Sequence, residues 1–329
     1  MIPNRIKNEA IIALLKGKAP AFLSGADMAS ALGVTRAAVW KKIRHLRKSG
    51  YMIEASPAKG YRLTGSPGLS IEEIKNALAA EGGVIGREVV FLDLADSTNT
   101  VAAELAGKGA PEGTVVIANG QTAGRGRRGR VWLSPQGKNL YLSIILTPDI
   151  PPTDAPILTL MTAVACTSAL KGLSACPVSI KWPNDMMVSG RKLGGILTEI
   201  KADPDRVFYA IVGIGINVNM GAEDTPGDLK GIATSIKVET GKSQSRTRYA
   251  IEILREMGKW YNTLLRMGKL PIIGEWLRLS STIGRQVKVT VGEGIIAGIA
   301  EGINDEGMLL LRLPDNSLKR ITSGDITYI

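Results

Sequence analysis

The sequence predicts an α+β chain in three parts, and three observations lead to this prediction. The first 65 residues combine short helical repeats with most of the net positive charge. The stretch up to about residue 280 mixes strand-like apolar runs with helices. Beyond it, the apolar period changes from that of a helix to that of a strand. We therefore expect domains at residues 1–65, 66–280 and 281–329.

The composition is that of a globular protein, with 329 residues, 44% hydrophobic and 22% charged. No apolar run reaches the roughly 18 to 20 residues of a membrane span, and the first residues lack a secretory apolar core. We therefore expect a cytoplasmic protein. Cys166 and Cys176 are too few for a metal quartet or a disulfide framework, so buried free thiols are expected.

The chain has one histidine, His45. Catalytic triads, histidine zinc sites and histidine general bases therefore lack their key residue beyond the first fifty positions. Any catalysis in the rest of the chain must depend on placed charges.

The net charge of +11 is unevenly distributed. Residues 1–65 hold 12 Lys/Arg against 3 Asp/Glu, a net +9, which leaves +2 for the other 264 residues. A basic module joined to a nearly neutral body indicates nucleic-acid binding by that module. The alternative explanation is a generally basic proteome, but that would not explain why the positive charge is concentrated in residues 1–65.

The N-terminal module has the pattern of a winged helix-turn-helix. Residues 5–18 have helical periodicity, with Ile6 on the apolar face, and residues 24–34 read as a capped helix ending at a glycine. Thr35 caps a basic helix to about Lys48, and two short strands form a wing. DNA binding is predicted, with a helical protein-contact domain as the alternative. The expected inward-facing residues are Val39, Ile43 and Leu46. The expected DNA contacts are Thr35, Arg36, Ala37, Trp40, Lys41 and Arg44. A turn-rich linker, 64–68, follows.

Residues 124–130, Gly-Arg-Gly-Arg-Arg-Gly-Arg, hold four arginines and three glycines. They lie between a strand-like run, 114–118, and Val-Trp-Leu at 131–133, which also resembles a strand. Glycines allow close backbone approach, and arginines bind phosphate or carboxylate, so this arginine loop is predicted to wrap an anion. A solvated basic loop or a nucleic-acid patch is the alternative. The Gly-x-Gly-x-x-Gly spacing matches the dinucleotide fingerprint, but no helix opens after it, so we reject a Rossmann site.

Polar side chains at a strand-to-helix junction are a second candidate site. Residues 97–99, Ser-Thr-Asn, follow a strand at 88–94 and precede a helix that runs to about Ala106. They can hydrogen-bond a polar ligand, while helix capping accounts for one of them at most.

Two cations and two glycines mark a third region. Lys181 ends a strand and suits a phosphate or carboxylate, unless Asp185 neutralises it. A hairpin strand begins near Lys192, and its return strand, 207–218, contains Gly213 and Gly215. Glycines within a strand indicate either close approach of a ligand or a bulge.

The other expected elements are simple to place. Helices are expected at 71–80, 154–171, 246–267 and 271–280. Strands are expected at 140–146, 178–181, 286–291, 295–302, 308–313 and 318–322. The side chains expected to face the core from the helix at 246–267 are Ile251, Leu254, Trp260 and Leu264.

Taken in order, these motifs resemble those of biotin–protein ligases. The shared motifs are the arginine loop, Lys-Trp-Pro-Asn-Asp at 181–185, Lys-Leu-x-Gly-Ile-Leu at 192–197 and Gly-x-Gly-x-Asn at 213–217. With its winged helix, the chain resembles the bifunctional type, which is both ligase and biotin operon repressor. The resemblance implies a central domain like that of class II aminoacyl-tRNA synthetases and a C-terminal SH3-like barrel. Gly194 departs from the family pattern, in which alanine is common.

The resemblance also implies a reaction. Biotin and ATP, with Mg²⁺, form biotinyl-5′-AMP, and a lysine of a biotin carboxyl carrier protein, from acetyl-CoA carboxylase or another biotin-dependent carboxylase, then takes the biotin. The intermediate also acts as corepressor, with a homodimer bound to operator DNA. Implied biotin-binding residues are Ser97, Thr98, Asn99, Gln121, Gly124, Arg125, Gly126, Arg127, Lys181, Gly195, Gly213 and Gly215. Implied adenylate-binding residues are Arg128, Trp132, Asn184, Lys192 and Asn217.

Three residues receive roles as hypotheses. Arg127 clamps the acyl-phosphate, Lys181 fixes the carboxylate of biotin, and Arg125 orders the loop over the ligand. The alternatives are a biotin-sensing regulator without catalysis and a related lipoate or octanoyl ligase. For the barrel, packing against the central domain competes with holding the carrier protein or ATP.

Overall fold

In the computed structural model, residues 8–48, 51–65 and 68–329 are described, and the chain divides into two units, Met1–Ser70 and Ile71–Ile329. The first unit has helices α1 to α3 followed by a two-stranded antiparallel sheet, β1 and β2. The bounds are α1 Asn8–Lys18, α2 Gly25–Leu32, α3 Arg36–Lys48, β1 Met52–Ser56 and β2 Gly60–Gly65. This is the predicted winged helix-turn-helix order. The predicted helical residues 5–7 with Ile6, and linker residues 66 and 67, lie outside the described residues.

The caps of the first unit follow the sequence prediction. The Ser24 Oγ accepts from the Asp27 N–H at 3.0 Å, and the Thr35 Oγ1 accepts from the Ala38 N–H at 3.2 Å. Gly33 ends α2 with φ +63°, a left-handed conformation that glycine adopts without strain. The inward residues of α3 are confirmed: Val39, Ile43 and Leu46 are at most 2% exposed.

The second unit is built around a seven-stranded sheet of order β3-β4-β5-β9-β8-β7-β6. Strands β3 and β4 are parallel, and the remaining pairs are antiparallel. The bounds are β3 Val89–Leu92, β4 Val115–Ala118, β5 Leu140–Leu146, β6 Val178–Lys181, β7 Asp185–Val188, β8 Arg191–Ala202 and β9 Val207–Ile216. The long hairpin β8–β9 and its neighbour β5 form the buried centre. Strand β7 was not predicted. It begins directly after the turn at 182–184, whose residues were assigned to the motif that follows β6.

Six helices pack around this sheet. Their bounds are α4 Ile71–Ala79, α5 Thr98–Gly107, α6 Pro156–Leu173, α7 Ile236–Thr240, α8 Arg246–Met267 and α9 Leu270–Leu279. The predicted inward face of α8 was partly wrong. Leu254 and Leu264 are buried, but Ile251 and Trp260 are only half-buried, and Ile253 and Met257 are buried instead. The buried face differs from the predicted one because α8 packs on both α4 and α6.

Helix α6 corrects the expectation that no stretch is long enough to span a membrane. Residues Pro152–Leu173 are long and apolar enough by length and composition, with 67% of that window buried inside the protein. Contacts with β6, β8, α8 and α9 account for this burial. The helix is therefore read as a core helix that is apolar on all sides. Cys166 on α6 and Cys176 after it are free and buried, as predicted, and burial raises the pKa of the Cys166 thiol.

The C-terminal strands form a five-stranded antiparallel sheet of order β13-β12-β11-β10-β14. The bounds are β10 Gln286–Val291, β11 Gly294–Ile303, β12 Leu309–Arg312, β13 Leu318–Ile321 and β14 Asp325–Tyr328. The last strand was not predicted. Trp182 joins this sheet to the central one, because its backbone N–H donates to Thr282 Oγ1 at 3.0 Å and its Nε1 donates to the Gly307 carbonyl at 3.2 Å.

Candidate functional site

One cavity of about 280 Å³ lies at the end of the β8–β9 hairpin, beneath the arginine loop. The start of α5, the turn at 184–185 and the segment 220–233 complete its walls. The structure brings all but three of the predicted ligand residues to this cavity. Those lining it are Ser97, Thr98, Asn99, Gln121, Arg125, Gly126, Arg127, Trp132, Asn184, Lys192, Gly195, Gly213, Gly215 and Asn217. Gly124, Arg128 and Lys181 are not among its lining residues.

The junction at 97–99 is used for a polar network and not for helix capping. Ser97 occupies the N-cap position of α5, but its side chain makes no cap hydrogen bond. The backbone N–H of Thr98 donates to Gln121 Oε1 at 2.8 Å. The Ser143 hydroxyl donates to Asn99 Oδ1 at 2.6 Å and lies 2.8 Å from the Thr98 hydroxyl. These buried polar groups are therefore positioned to meet a polar ligand at the cavity floor.

The two strand glycines are explained by close packing of side chains. The register of β9 with β5 and β8 is regular at Gly213 and Gly215, so neither forms a bulge. A Cβ on Gly213 would lie 2.1 Å from Asn99 Oδ1, and a Cβ on Gly215 would lie 2.6 Å from the Trp132 indole. In this structure the close approach comes from protein side chains that themselves line the cavity.

Gly194, where the family resemblance expects alanine, is also tightly packed. A Cβ there would lie 2.8 Å from the Gly215 carbonyl oxygen and 2.8 Å from Met186 Cε. The methionine end is flexible, but the backbone is not. The glycine at this position therefore follows from how β8 and β9 pack beside the cavity.

The arginine loop is an ordered turn folded against the cavity. Residues Arg127–Gly129 form one turn of 3₁₀ helix, and Arg128 has φ +56°. The Gly126 N–H donates to the Arg130 carbonyl at 2.7 Å. The expected strand at 131–133 is wrong, because only Val131 forms an isolated bridge, to Arg125. The three-residue turn is also too short to be the helix that a dinucleotide fingerprint needs.

The four guanidiniums of the loop have three partners among them. Arg125 pairs with Glu199 at 3.0 Å, and both side chains are more than 40% exposed. Arg127 Nη1 donates to Asn184 Oδ1 at 3.1 Å. Burial lowers the pKa of Arg127, while the nearby carboxylates of Asp325 and Asp185 oppose this effect.

The remaining two arginines share a carboxylate of the C-terminal sheet. Arg128 Nη1 lies 3.3 Å from Asp325 Oδ2, and Arg130 Nη2 also pairs with this oxygen. Arg127 is therefore the loop arginine whose side-chain partner is a neutral amide in the described structure. Its positive charge is available to an anion in the cavity.

The cavity wall also contains an aromatic ring, that of Trp132, beside the cation of Lys192. Lys192 Nζ lies 5.4 Å from the Trp132 ring centroid and 2.6 Å from Asp185 Oδ1. Asn217 Nδ2 donates to the Thr234 carbonyl at 3.0 Å, which ties the residue after β9 to the residue after the segment 220–233. A flat ring with a cation at its face can hold a base next to a phosphate.

Lys181 does not line the cavity, although the charges of Asp185 and Lys192 act on it. Its Nζ is 5.3 Å from the centroid of the Tyr328 ring. Burial is the main cause that lowers its pKa, Asp185 raises it, and the charge of Lys192 lowers it further. The alternative in which Asp185 neutralises Lys181 is not what the structure has, because the ion pair of Asp185 is with Lys192.

Several cavity residues were not assigned by sequence reasoning. The chief ones are Arg130, Asp185, Met220, Leu229, Ile232 and Asp325. Arg130 and Asp185 stood inside quoted motifs, so a signal existed for them. Asp325 is almost 200 positions from the loop and carried no local signal.

The predicted DNA-contacting residues lie together on the first unit. Thr35, Arg36 and Ala37 begin α3, and all six predicted residues are exposed. Trp40 is 54% exposed, and the Arg44 guanidinium carbon lies 5.5 Å from its ring centroid. Arg47 instead holds the helix to the wing, since its Nε donates to the Ile53 carbonyl at 2.8 Å. The exposed face of α3 therefore extends from its first residue to at least Arg44.

Three family models match consecutive parts of the chain. Residues 7–62 match an HTH domain, residues 91–217 the biotin/lipoate A/B protein ligase family, and residues 282–327 the biotin protein ligase C-terminal domain.

Curated relatives match over nearly the whole length. The bifunctional ligase/repressor BirA of Bacillus spizizenii is 43% identical over 96% of this chain and 97% of its own. That of Escherichia coli K12 is 34% identical over 99% of this chain and 98% of its own. Among solved structures, the biotin protein ligase from Aquifex aeolicus in complex with biotin and ATP is similar, with 30% identity and a TM-score of 0.63 over 73% of this chain and 97% of the other.

Proposed function

The chain belongs to the family of bifunctional biotin ligases and biotin repressors, and from this membership we propose a role for each group around its cavity. The chain is an ATP-dependent biotin–acetyl-CoA-carboxylase ligase and a biotinyl-AMP-dependent repressor. Its fold is the expected one, a winged helix-turn-helix followed by a class II synthetase-like domain and an SH3-like barrel. The substrates are biotin and ATP.

The reaction has two steps. A carboxylate oxygen of biotin attacks the α-phosphorus of ATP, and pyrophosphate leaves with the electrons of the broken P–O bond. A lysine amine of the acceptor then attacks the acyl carbon of biotinyl-5′-AMP, AMP leaves, and the amine loses a proton. Neither step needs a protein nucleophile. The first step brings two anionic groups together and the second expels anionic AMP, so fixed cations lower both barriers.

The observation that carries the assignment is the position of Arg127. It lines the cavity, its partner is the neutral Asn184, and the three neighbouring loop arginines are paired with carboxylates. A guanidinium placed in this way suits an acyl-phosphate, since its planar fork contacts two oxygens at once. We assign it the binding and retention of the adenylate.

The two ends of the cavity suit the two halves of the intermediate. The buried polar network around Thr98 and Asn99 suits the ureido ring of biotin, which offers N–H donors and a carbonyl acceptor. The Trp132 ring with Lys192 suits the nucleotide. Gly124, whose carbonyl accepts from the Trp132 N–H at 2.8 Å, and Arg128, paired with Asp325, support the loop without lining the cavity.

Lys181 is assigned to the carboxylate of biotin, with a movement of its side chain. From its place beside Tyr328, a change of side-chain torsions would be needed to bring Nζ to the cavity. A ligand carboxylate would favour this movement because it replaces the aromatic face with a full negative charge. Arg125, paired with the exposed Glu199, is free to change partner when the loop meets biotin.

Mg²⁺ fits the donors of the site if phosphates supply most of its ligands. Among the described residues there is no group of three or more His, Cys, Asp or Glu side chains that could hold a metal alone. The cavity does contain Asp185, and Mg²⁺ is commonly bound by one or two carboxylates together with substrate phosphates. Bound in this way, it would neutralise pyrophosphate.

The partners follow from the two activities. The acceptor is a biotin carboxyl carrier protein of acetyl-CoA carboxylase or another biotin-dependent carboxylase, and the exposed start of α3 contacts operator DNA. We further propose that adenylate binding orders a surface for homodimerisation, so that two winged helices align on a palindrome. The proposed domain limits are 1–65, 66–280 and 281–329, and the proposed location is the cytoplasm.

The test of the central assignment is Arg127→Gly, with Arg206→Gly in the exposed β8–β9 turn as the matched control. Loss of the fork should speed release of biotinyl-5′-AMP by roughly 100-fold, the loss expected for a charge-assisted pair. Release is measured by dilution of the preformed, labelled complex. An unchanged release rate for Arg127→Gly would rule out this role.

The two competing functions are separated by a substrate assay. Labelled biotin or lipoate is incubated with ATP and an isolated acceptor domain. Transfer of biotin alone is expected. No transfer of either acid would indicate a regulator without catalysis, and preferential transfer of lipoate would indicate the related ligase class.

A further inference from the structure

Asp325 joins two parts of the chain that are far apart in sequence. It begins β14, where it pairs with Thr290 of β10. Its Oδ2 accepts a hydrogen bond from Arg128 Nη1 at 3.3 Å and another from Arg130 Nη2. The Asp325 and Arg128 side chains are 32% and 35% exposed, whereas Arg130 is 63% exposed, so solvent screens the Arg130 pair more than the Arg128 pair. One carboxylate of the barrel thus holds two of the four guanidiniums of the arginine loop.

The two arginines it holds lie at and directly after the left-handed residues of the loop, Arg128 and Gly129. Arg128 has φ +56°, a left-handed conformation that a residue with a Cβ adopts only at an energetic cost. Such a conformation persists where the surroundings hold it. The hydrogen bond from Gly126 N–H to the Arg130 carbonyl closes the loop from inside. The contacts of the Arg128 and Arg130 side chains with Asp325, at the edge of the cavity, are a second restraint.

Arg127 lies between Gly126, whose N–H is bonded to the Arg130 carbonyl, and Arg128, whose guanidinium is held by Asp325. Its Nη1 contacts the neutral Asn184 at 3.1 Å, and a single amide hydrogen bond is a weak restraint on a long side chain. The direction of the guanidinium is therefore set mainly by the backbone at Gly126 and Arg128. That backbone is held by the hydrogen bond from the Gly126 N–H to the Arg130 carbonyl and, through the side chains of Arg128 and Arg130, by Asp325.

We propose that Asp325 is a positioning residue for the arginine loop. By holding Arg128 and Arg130, it keeps Arg127 directed into the cavity, ready for the acyl-phosphate. Although Asp325 lines the cavity, the role we assign to it is exerted through the loop, and it gives the C-terminal barrel a task beyond packing. This inference rests on the role proposed for Arg127 in the ligase reaction.

The first test uses hydrogen exchange in the ligand-free, full-length protein. Asp325→Asn removes the charge but keeps the size, and Glu301→Gln is the matched control, because Glu301 is a barrel carboxylate paired with Arg312 at similar exposure. Amides at 124–132 should exchange about fivefold faster in Asp325→Asn and at the parent rate in Glu301→Gln. Asp325→Glu should restore slow exchange.

The second test works from the loop side, so that the barrel stays intact. Arg130→Gln should also speed exchange at 124–132, and both Asp325→Asn and Arg130→Gln should shorten the retention of labelled biotinyl-5′-AMP about fivefold. Parent-like exchange of the loop in both variants would overturn the proposal. If the parent itself makes no adenylate, the ligase assignment of Arg127 fails, while the exchange data still decide whether Asp325 positions the loop.

Discussion

At Gly215, the absence of a side chain lets Trp132 lie against β9. A Cβ there would lie 2.6 Å from both Cε2 and Nε1 of the indole. Contacts this short between a Cβ and an aromatic ring do not persist, so either the ring or the strand would move. Because β9 is hydrogen-bonded on both sides, the ring is the part that moves.

Gly215→Ala therefore tests whether Trp132 holds the nucleotide. Displacing the ring should raise the KM for ATP about tenfold, equivalent to ~1.4 kcal/mol, and change the KM for biotin little. Gly302→Ala is the control, since it also lies in a strand but would meet no atom within 4 Å. Equal ATP dependence in both variants would show that Trp132 is not part of the nucleotide site.

Lys181 gives a prediction about pH. Burial lowers its pKa, so the amine loses its proton at a lower pH than an exposed lysine does. If its charge holds the biotin carboxylate, single-turnover adenylate formation falls as pH rises through that lowered pKa. Lys181→Arg keeps the charge at all these pH values and should move the alkaline limb upward. Alkaline limbs that coincide would exclude Lys181 from this step.

At the scale of elements, the N-terminal unit depends on how its short helices end. Gly33 closes α2 in a left-handed conformation at φ +63°, and its N–H donates to the Ala29 and Ser30 carbonyls. This turn sets the angle between α2 and the exposed helix α3. Gly17, in contrast, lies within α1 and has open space around its Cα.

These two glycines should respond in opposite directions to alanine. Gly33→Ala introduces a Cβ at positive φ and should destabilise the unit by about 1 kcal/mol. Gly17→Ala removes backbone freedom from the unfolded chain and should stabilise it by roughly 0.5 kcal/mol. Hydrogen exchange of amides in 8–65 of the full chain measures both. Stabilisation by Gly33→Ala would mean that the turn is not formed in solution.

At the scale of the whole molecule, two units carry different charge. A net +9 lies on residues 1–65 and only +2 on the remainder. DNA binding releases condensed counterions and is therefore sensitive to salt, while the ligase cavity is partly enclosed and its charges are mostly paired. The two activities should thus respond differently to ionic strength.

We expect operator affinity to fall at least tenfold between about 50 and 200 mM salt, with adenylate formation changing less than about twofold. Operator affinity should also rise when biotinyl-5′-AMP is bound. Fluorescence anisotropy of a labelled operator, with and without the adenylate, measures both effects. Equal affinity in the two states would refute corepression through the ligand-ordered surface.

Local pattern was enough for several parts of the molecule. Three kinds of local signal, helix caps, apolar periodicity and turn glycines, together predicted α2, α3 and the wing. These elements are stabilised by contacts between near neighbours in sequence. The strands 140–146 and 178–181 were predicted at their observed bounds for the same reason. The face of α8 was not, because it is set by which helices pack on it.

The sequence by itself determined the chemistry. A loop of four arginines, the two lysines Lys181 and Lys192 and a single histidine leave charge placement as the means of catalysis. What only the tertiary structure decided was which of these charges is compensated. Glu199 and Asp325 lie 74 to 197 positions from the arginines they contact. Such contacts depend on how β8 and β14 pack beside the loop, and no local pattern in the sequence specifies that.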